Sequence, residues 1–264
     1  MANQTETGHA KNVANFGTLI TVVNGFGEVY NPSKQTITAA SLATLYENSK
    51  NLMSELNGIS GAYGIAVANR EVAFEPLSKL ATRIINALRA SDITQQVIAS
   101  AESLVRKLQG KRATPKKTDE EKAALQTEGT VVKEVSSSQM GFDNRLDSFD
   151  KLIKLLSGIP QYTPNQAELQ IATLANYYNN LNTLNSDAVT ARFQLKKARM
   201  SRNDILYKPD TGLIDTANAA KNYIRSLFGA ISPEIKQLSG LTFKAMPAKK
   251  VSNEVFITDQ VPVV

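Results

Sequence analysis

The chain of 264 residues has no cysteine and a single histidine, and these scarcities exclude a good deal of chemistry. Without cysteine there is no disulfide, no thiolate metal ligand and no thiol nucleophile. That agrees with a reducing cytoplasm, the location expected for the protein. His9 stands in a polar stretch ahead of the first helix, with no second histidine or acidic cluster at ligand spacing. It reads as a solvated terminal side chain rather than a metal ligand or base. Residues 1–15 are polar and supply no apolar core of signal-peptide type. The longest apolar stretches, around residues 19–23 and 58–68, fall far short of the roughly 20 residues a membrane-spanning helix needs. No transmembrane segment is expected.

Recognisable catalytic motifs are missing too. There is no Walker-type loop, nucleophile elbow or glycine-rich dinucleotide fingerprint. The run Gly58-Ile59-Ser60-Gly61-Ala62-Tyr63-Gly64 is rich in glycine but lacks the preceding strand of a phosphate loop. Asp143, Asp147 and Asp150 lie at helical spacing, yet Arg145, Lys151 and Lys154 are interleaved with them, which is ordinary chemistry for the start of a helix. The expectation is a protein that is not an enzyme and needs no cofactor or metal.

What is present is an internal duplication. Phe16, Leu19, Ile20, Val23 and Gly25 recur at the same spacing as Phe149, Leu152, Ile153, Leu156 and Gly158. After a slip of one residue, Tyr30, Pro32, Leu42, Tyr46 and Asn48 answer to Tyr162, Pro164, Leu174, Tyr178 and Asn180. Phe74 and Pro76 then answer to Tyr207 and Pro209, and after a short insertion Ile85 and Leu88 pair with Ile224 and Leu227. A repeat of this kind fixes the structural unit before anything else is read.

Phe16, Leu19, Ile20 and Val23 fall at i, i+3, i+4 and i+7, one face of a helix. The Tyr-x-Pro loops stop that helix and lead into a second, striped with Leu42, Leu45, Tyr46, Ser49, Met53 and Leu56. A third helix is expected over 61–75 and 187–207, a fourth over Leu77 to Leu88 and around 216–228, and a fifth over 91–108 and 232–238. The fifth carries start signals at Ser91 or Asp92 and at Ser232-Pro233. The predicted fold is all-α: two tandem, internally duplicated helical-bundle units with an extended C-terminal arm. The boundaries are 1–110, a charged linker 111–140, 141–242 and a tail 243–264. Hydrophobic residues at 42% and charged residues at 20% suit two such cores.

The second half, with Gln139-Met140-Gly141-Phe142-Asp143 leading into Phe149 and later Arg202-Asn203-Asp204-Ile205-Leu206-Tyr207, resembles uncharacterised bacterial all-helical proteins. The resemblance covers much of that half and less of the first. It implies a helical family and supplies no activity.

A net charge of +6 leaves acidic partners open. Arg192, Lys196 and Arg199 share a helical face suited to phosphates, as does the linker group Lys111, Arg112, Lys116 and Lys117. The linker lacks the aromatic residues that would stack bases. In the tail, Val255, Phe256, Ile257, Val261 and Val263 form a candidate assembly arm. The leading expectation is a structural or interaction protein that self-associates or binds a protein partner. The alternatives are an accessory nucleic-acid binder and a membrane-active helical bundle.

Overall fold

The repeated stripes become helices, as their spacing predicts. A computed structural model describes residues 8–111 and 140–245, and among these described residues no strand occurs. In chain order the helices are α1 (His9–Gly25), α2 (Ala39–Phe74), α3 (Leu77–Arg89), α4 (Gln95–Gln109), α5 (Phe142–Ser157), α6 (Ile171–Tyr207), α7 (Leu213–Phe228) and α8 (Pro233–Gln237). α1 buries Val13, Phe16, Leu19, Ile20 and Val23, and α5 buries Leu146, Phe149, Leu152, Ile153 and Leu156. Phe16 and Phe149 are both fully buried. Burying such a side chain contributes about 1.5–3 kcal/mol relative to leaving it in water.

Two of the loops match in their hydrogen bonding. Tyr30 donates its hydroxyl to the Ile37 carbonyl at 2.7 Å, and Tyr162 donates to the Leu169 carbonyl at 3.0 Å. Each bond spans seven residues and clasps the loop, through a 3-10 turn (Gln35–Ile37 or Ala167–Leu169), ahead of a long helix. Burial pushes both phenols up to about 12.

Two expectations change. The second and third helices of each repeat are one element, so α2 runs 36 residues and α6 runs 37. A helical glycine costs only about 1 kcal/mol relative to alanine. Gly58, Gly61 and Gly64 therefore do not break α2 where no proline stands with them. The register of the fourth helix also shifts. Leu77, Ala81, Ile84 and Leu88 of α3 match Leu213, Ala217, Ala220 and Ile224 of α7, all fully buried, whereas Leu227 is 37% exposed. The shift equals the insertion Asp210-Thr211-Gly212, which follows Pro209 and has no counterpart after Pro76. Asp210 adopts φ 65°, and a Cβ on Gly212 would come within 2.5 Å of the Lys208 carbonyl. The inserted turn is thus built around a residue that cannot carry a side chain.

The chain divides into two compact units, one drawn from Met1–Asn57 with Lys197–Val264 and the other from Gly58–Lys196. Both divisions fall inside a long helix, so the units cut across the repeats. In the first unit, α1 and the start of α2 share a core with the end of α6, α7 and Leu238. In the second, the end of α2, α3 and α4 share a core with α5 and the start of α6. Each core joins the early elements of one repeat to the late elements of the other. α4 starts behind Thr94 rather than at Ser91 or Asp92, while Ser232 caps α8 as its sequence predicts, accepting the Ile235 amide at 3.3 Å.

Candidate functional site

The first turns of α1 carry a cluster that its apolar stripe does not explain. Asn12 and Asn15, one turn apart, are 2% and 6% exposed. Asn15 donates its side-chain amide to the Thr242 carbonyl at 2.8 Å. Asn12 donates to the Lys244 carbonyl at 3.0 Å and accepts the Lys244 amide at 3.2 Å. Between these contacts, the Phe243 ring meets Phe16 edge to face, with centroids 6.5 Å apart. Lys221 of α7 donates to the Leu241 carbonyl at 2.8 Å. Residues 241–244 thus lie on the unit as a strap held through their backbone.

His9 belongs to the same cluster. Its Nδ1 stands 2.5 Å from the Tyr207 hydroxyl, and the two rings meet at 61° with centroids 5.6 Å apart. Burial, and then the Arg202 charge, hold the imidazole below its ordinary value. Burial raises Tyr207, against an opposing hydrogen bond from Asn12. With both groups neutral, the phenol donates to the imidazole and receives from Asn12, which also holds Lys244. His9 is therefore half-buried and partnered, in contrast to the solvated side chain expected from its place near the terminus.

The 133-residue offset relating Phe16 to Phe149 maps His9, Asn12, Asn15 and Tyr207 onto Phe142, Arg145, Ser148 and Phe74. There the Phe74 and Phe142 rings meet at 79°, 4.9 Å apart. Arg145 donates to the Phe74 carbonyl at 2.9 Å, and Tyr177 donates to the Ala73 carbonyl at 2.6 Å. These bonds satisfy carbonyls that the end of α2 leaves free, and a cation there suits the helix dipole. The Arg70 guanidinium lies 3.9 Å from the Phe142 ring centroid and donates to Asn185, which donates in turn to Asp143. The Nε atoms of Arg70 and Arg145 are buried without a hydrogen-bond partner.

The basic candidates remain apart from this cluster. Arg192, Lys196 and Arg199 on α6 are exposed, as is Lys111. Phe193, beside Arg192 and one turn before Lys196 and Lys197, is 67% exposed. Lys111 borders a hollow of about 290 Å³ along α3 and α4, with Asn86, Arg89, Glu102 and Arg106. Arg89 and Glu102 are ion-paired across it at 2.7 Å. Arg112, Lys116 and Lys117 lie outside the described residues, as do Val255, Phe256, Ile257, Val261 and Val263. Asp147 and Asp150 are ion-paired to Lys151 and Lys154 along α5. Among the described residues no group of three or more histidine or acidic side chains converges as a metal site, and no helix is long and apolar enough to cross a membrane.

The chain matches no protein-family model, no curated protein and no solved structure. Sequence reasoning passed over Asn12 and Asn15, although two asparagines at i and i+3 beside Val13 and Phe16 are a visible polar interruption of a buried face. It also left the Tyr30 and Tyr162 clasps unassigned, although the repeat retains both residues.

Proposed function

We propose that the protein is a non-enzymatic structural or interaction protein that associates with further copies of itself through exposed helix faces. The supporting observation is the exposure of large apolar side chains on the long helices. Ile65 and Val72 of α2 are 63% and 68% exposed, and Val189 and Phe193 of α6 are 56% and 67% exposed. On α2, Gly61, Ile65, Ala68 and Val72 are all exposed and fall at i, i+4, i+7 and i+11, and residues 58–69 carry no charged side chain. An uncharged, apolar face of this kind suits self-complementary packing, in which the same patch serves both partners. Light scattering over a concentration series tests it. The native chain shows a mass that rises above the monomer, and Ile65→Glu with Val72→Glu returns it to the monomer. A native chain that stays monomeric at the highest concentration it tolerates sinks the reading.

A second reading, nucleic-acid binding, is favoured by Phe193 standing exposed among Arg192, Lys196 and Lys197. Stacking on an aromatic ring beside cations is how single strands are held without sequence preference. It predicts binding to an oligonucleotide that weakens steeply with salt and is lost on Arg192→Glu with Lys196→Glu. Absence of binding at low salt rules it out.

A further inference from the structure

The strap on α1 has the features of a ligand in a binding site. Its contacts are to main-chain groups: the carbonyls of Leu241, Thr242 and Lys244 each accept a bond, and the Lys244 amide donates one. Two of its side chains, Leu241 and Phe243, pack against the core, with the Phe243 ring edge to face on Phe16. The groups that read it are prearranged. Asn12 and Asn15 are held on a helix and are almost wholly buried with the strap in place; displacing it removes the protein partner of Asn15 and two of those of Asn12, which keeps its bond to the Tyr207 hydroxyl. Such a site recognises an extended segment through its backbone, with specificity from the apolar positions Leu241 and Phe243, as in other modes of extended-peptide recognition.

The feature is also peculiar to one copy of the repeat. At the matching positions of α5 stand Arg145, which is turned to the Phe74 carbonyl, and Ser148. Helix packing common to both copies therefore does not require the two asparagines. Gly240, immediately before the strap, is exposed, and a glycine has the widest choice of backbone conformations for a change of chain direction.

We propose that α1 carries a binding site for an extended peptide, filled by residues 241–244 of the same chain in the monomer and by the same segment of a second copy on association. Exchange of identical elements between copies is a low-cost route to a dimer, because every contact is re-formed. The proposal rests on the self-association reading only for the source of the second segment.

The test uses the full chain and a labelled synthetic peptide of residues 239–246, followed by fluorescence anisotropy. The peptide binds the Phe243→Ala chain roughly tenfold more tightly than the native chain, because the internal competitor is weakened while the site stays whole. The same peptide carrying Phe243→Ala does not bind, and adding Asn15→Ala to the chain abolishes binding. If the Phe243→Ala chain keeps its circular dichroism and shows no saturable binding, the proposal is wrong. Should that variant lose helicity, Lys244→Pro serves instead, since it removes the amide that Asn12 accepts and leaves the core untouched. Sedimentation separates the two readings. Dimers that persist in Ile65→Glu with Val72→Glu but vanish in Asn12→Ala with Asn15→Ala support exchange. The opposite pattern overturns exchange and keeps the helix-face reading, and a chain that forms no dimer overturns both.

Discussion

The two corners where α1 and α5 begin share a sequence position and differ in nearly every chemical respect. At Phe142 the contact is ring on ring, backed by Arg70 and by Arg145 bonded to the end of α2. At His9 it is an imidazole against a phenol, and the residue in the place of Arg145 is Asn12, which faces the strap. One corner is closed by its own side chains. The other is completed by a segment from the far end of the chain. The two halves of the chain thus share their helix packing and differ in what each corner holds.

The largest expected contrast comes from the rings at the ends of the long helices. Phe74→Ala empties a 1% exposed position and removes the surface beneath Arg145 and Phe142, so it lowers stability by about 3–5 kcal/mol. Tyr207→Phe at the matching position removes only a hydroxyl and costs about 0.5–1.5 kcal/mol. Urea denaturation measures both, and comparable losses would show that the corners are not the different structures described.

A smaller pair of substitutions asks where the copies agree. Tyr30→Phe and Tyr162→Phe each strand a buried carbonyl at the same place in the loop, so each costs about 1–3 kcal/mol. The two losses should match closely. Because burial raises both phenols to about 12, the folded state holds protons that the unfolded state sheds above about pH 10. Their contribution is whole below pH 10 and fades as pH rises toward 12, and both phenylalanine variants flatten part of that alkaline decline.

The smallest effect is confined to the His9 corner. The folded pKa of His9 lies below its ordinary value, so the unfolded state binds more protons and stability rises with pH. The contribution is complete above about pH 6.5 and is lost as pH falls through the lowered folded value. Thermal midpoints at pH 5 and pH 7.5 measure it. His9→Phe, which copies the chemistry of Phe142, removes that difference, and an unchanged pH dependence would show that the imidazole does not titrate against Tyr207.

Much of this was legible in the sequence, and the parts that were not have a common cause. Periodicity marks which face of a helix is apolar, so the Phe16 and Phe149 stripes and the burial of Leu42 and Leu174 could be read directly. It does not name the partner of that face, and the crossing of early and late elements is invisible to it. Periodicity also does not show that a second and a third apolar stretch belong to one continuous helix, as they do in α2 and α6. Pairing Ile85 with Ile224 makes the insertion after Pro209 one helical turn too long, and apolar spacing does not correct it, because Ile224 and Leu227 both suit a core face. His9 lay open to misreading for a different reason: its partner Tyr207 is 198 residues away.

That separation has a consequence for how the molecule comes into being. In the unit formed by Gly58–Lys196, the bonds to α5, α6 and the loop between them span 42, 71, 85, 104 and 115 residues. In the other, those of α1 span 198, 227 and 232. On a ribosome, the apolar side of α1 emerges well before its partners on α7. Folding must wait for them, since non-local contacts bring no reward until the intervening chain is closed. The inner segment can set its core while the outermost helix is still exposed. Pulse-labelled hydrogen exchange on refolding should accordingly find the amides of α3 and α4 protected before those of α1. A helix made before α3 and α4 thus matures after them.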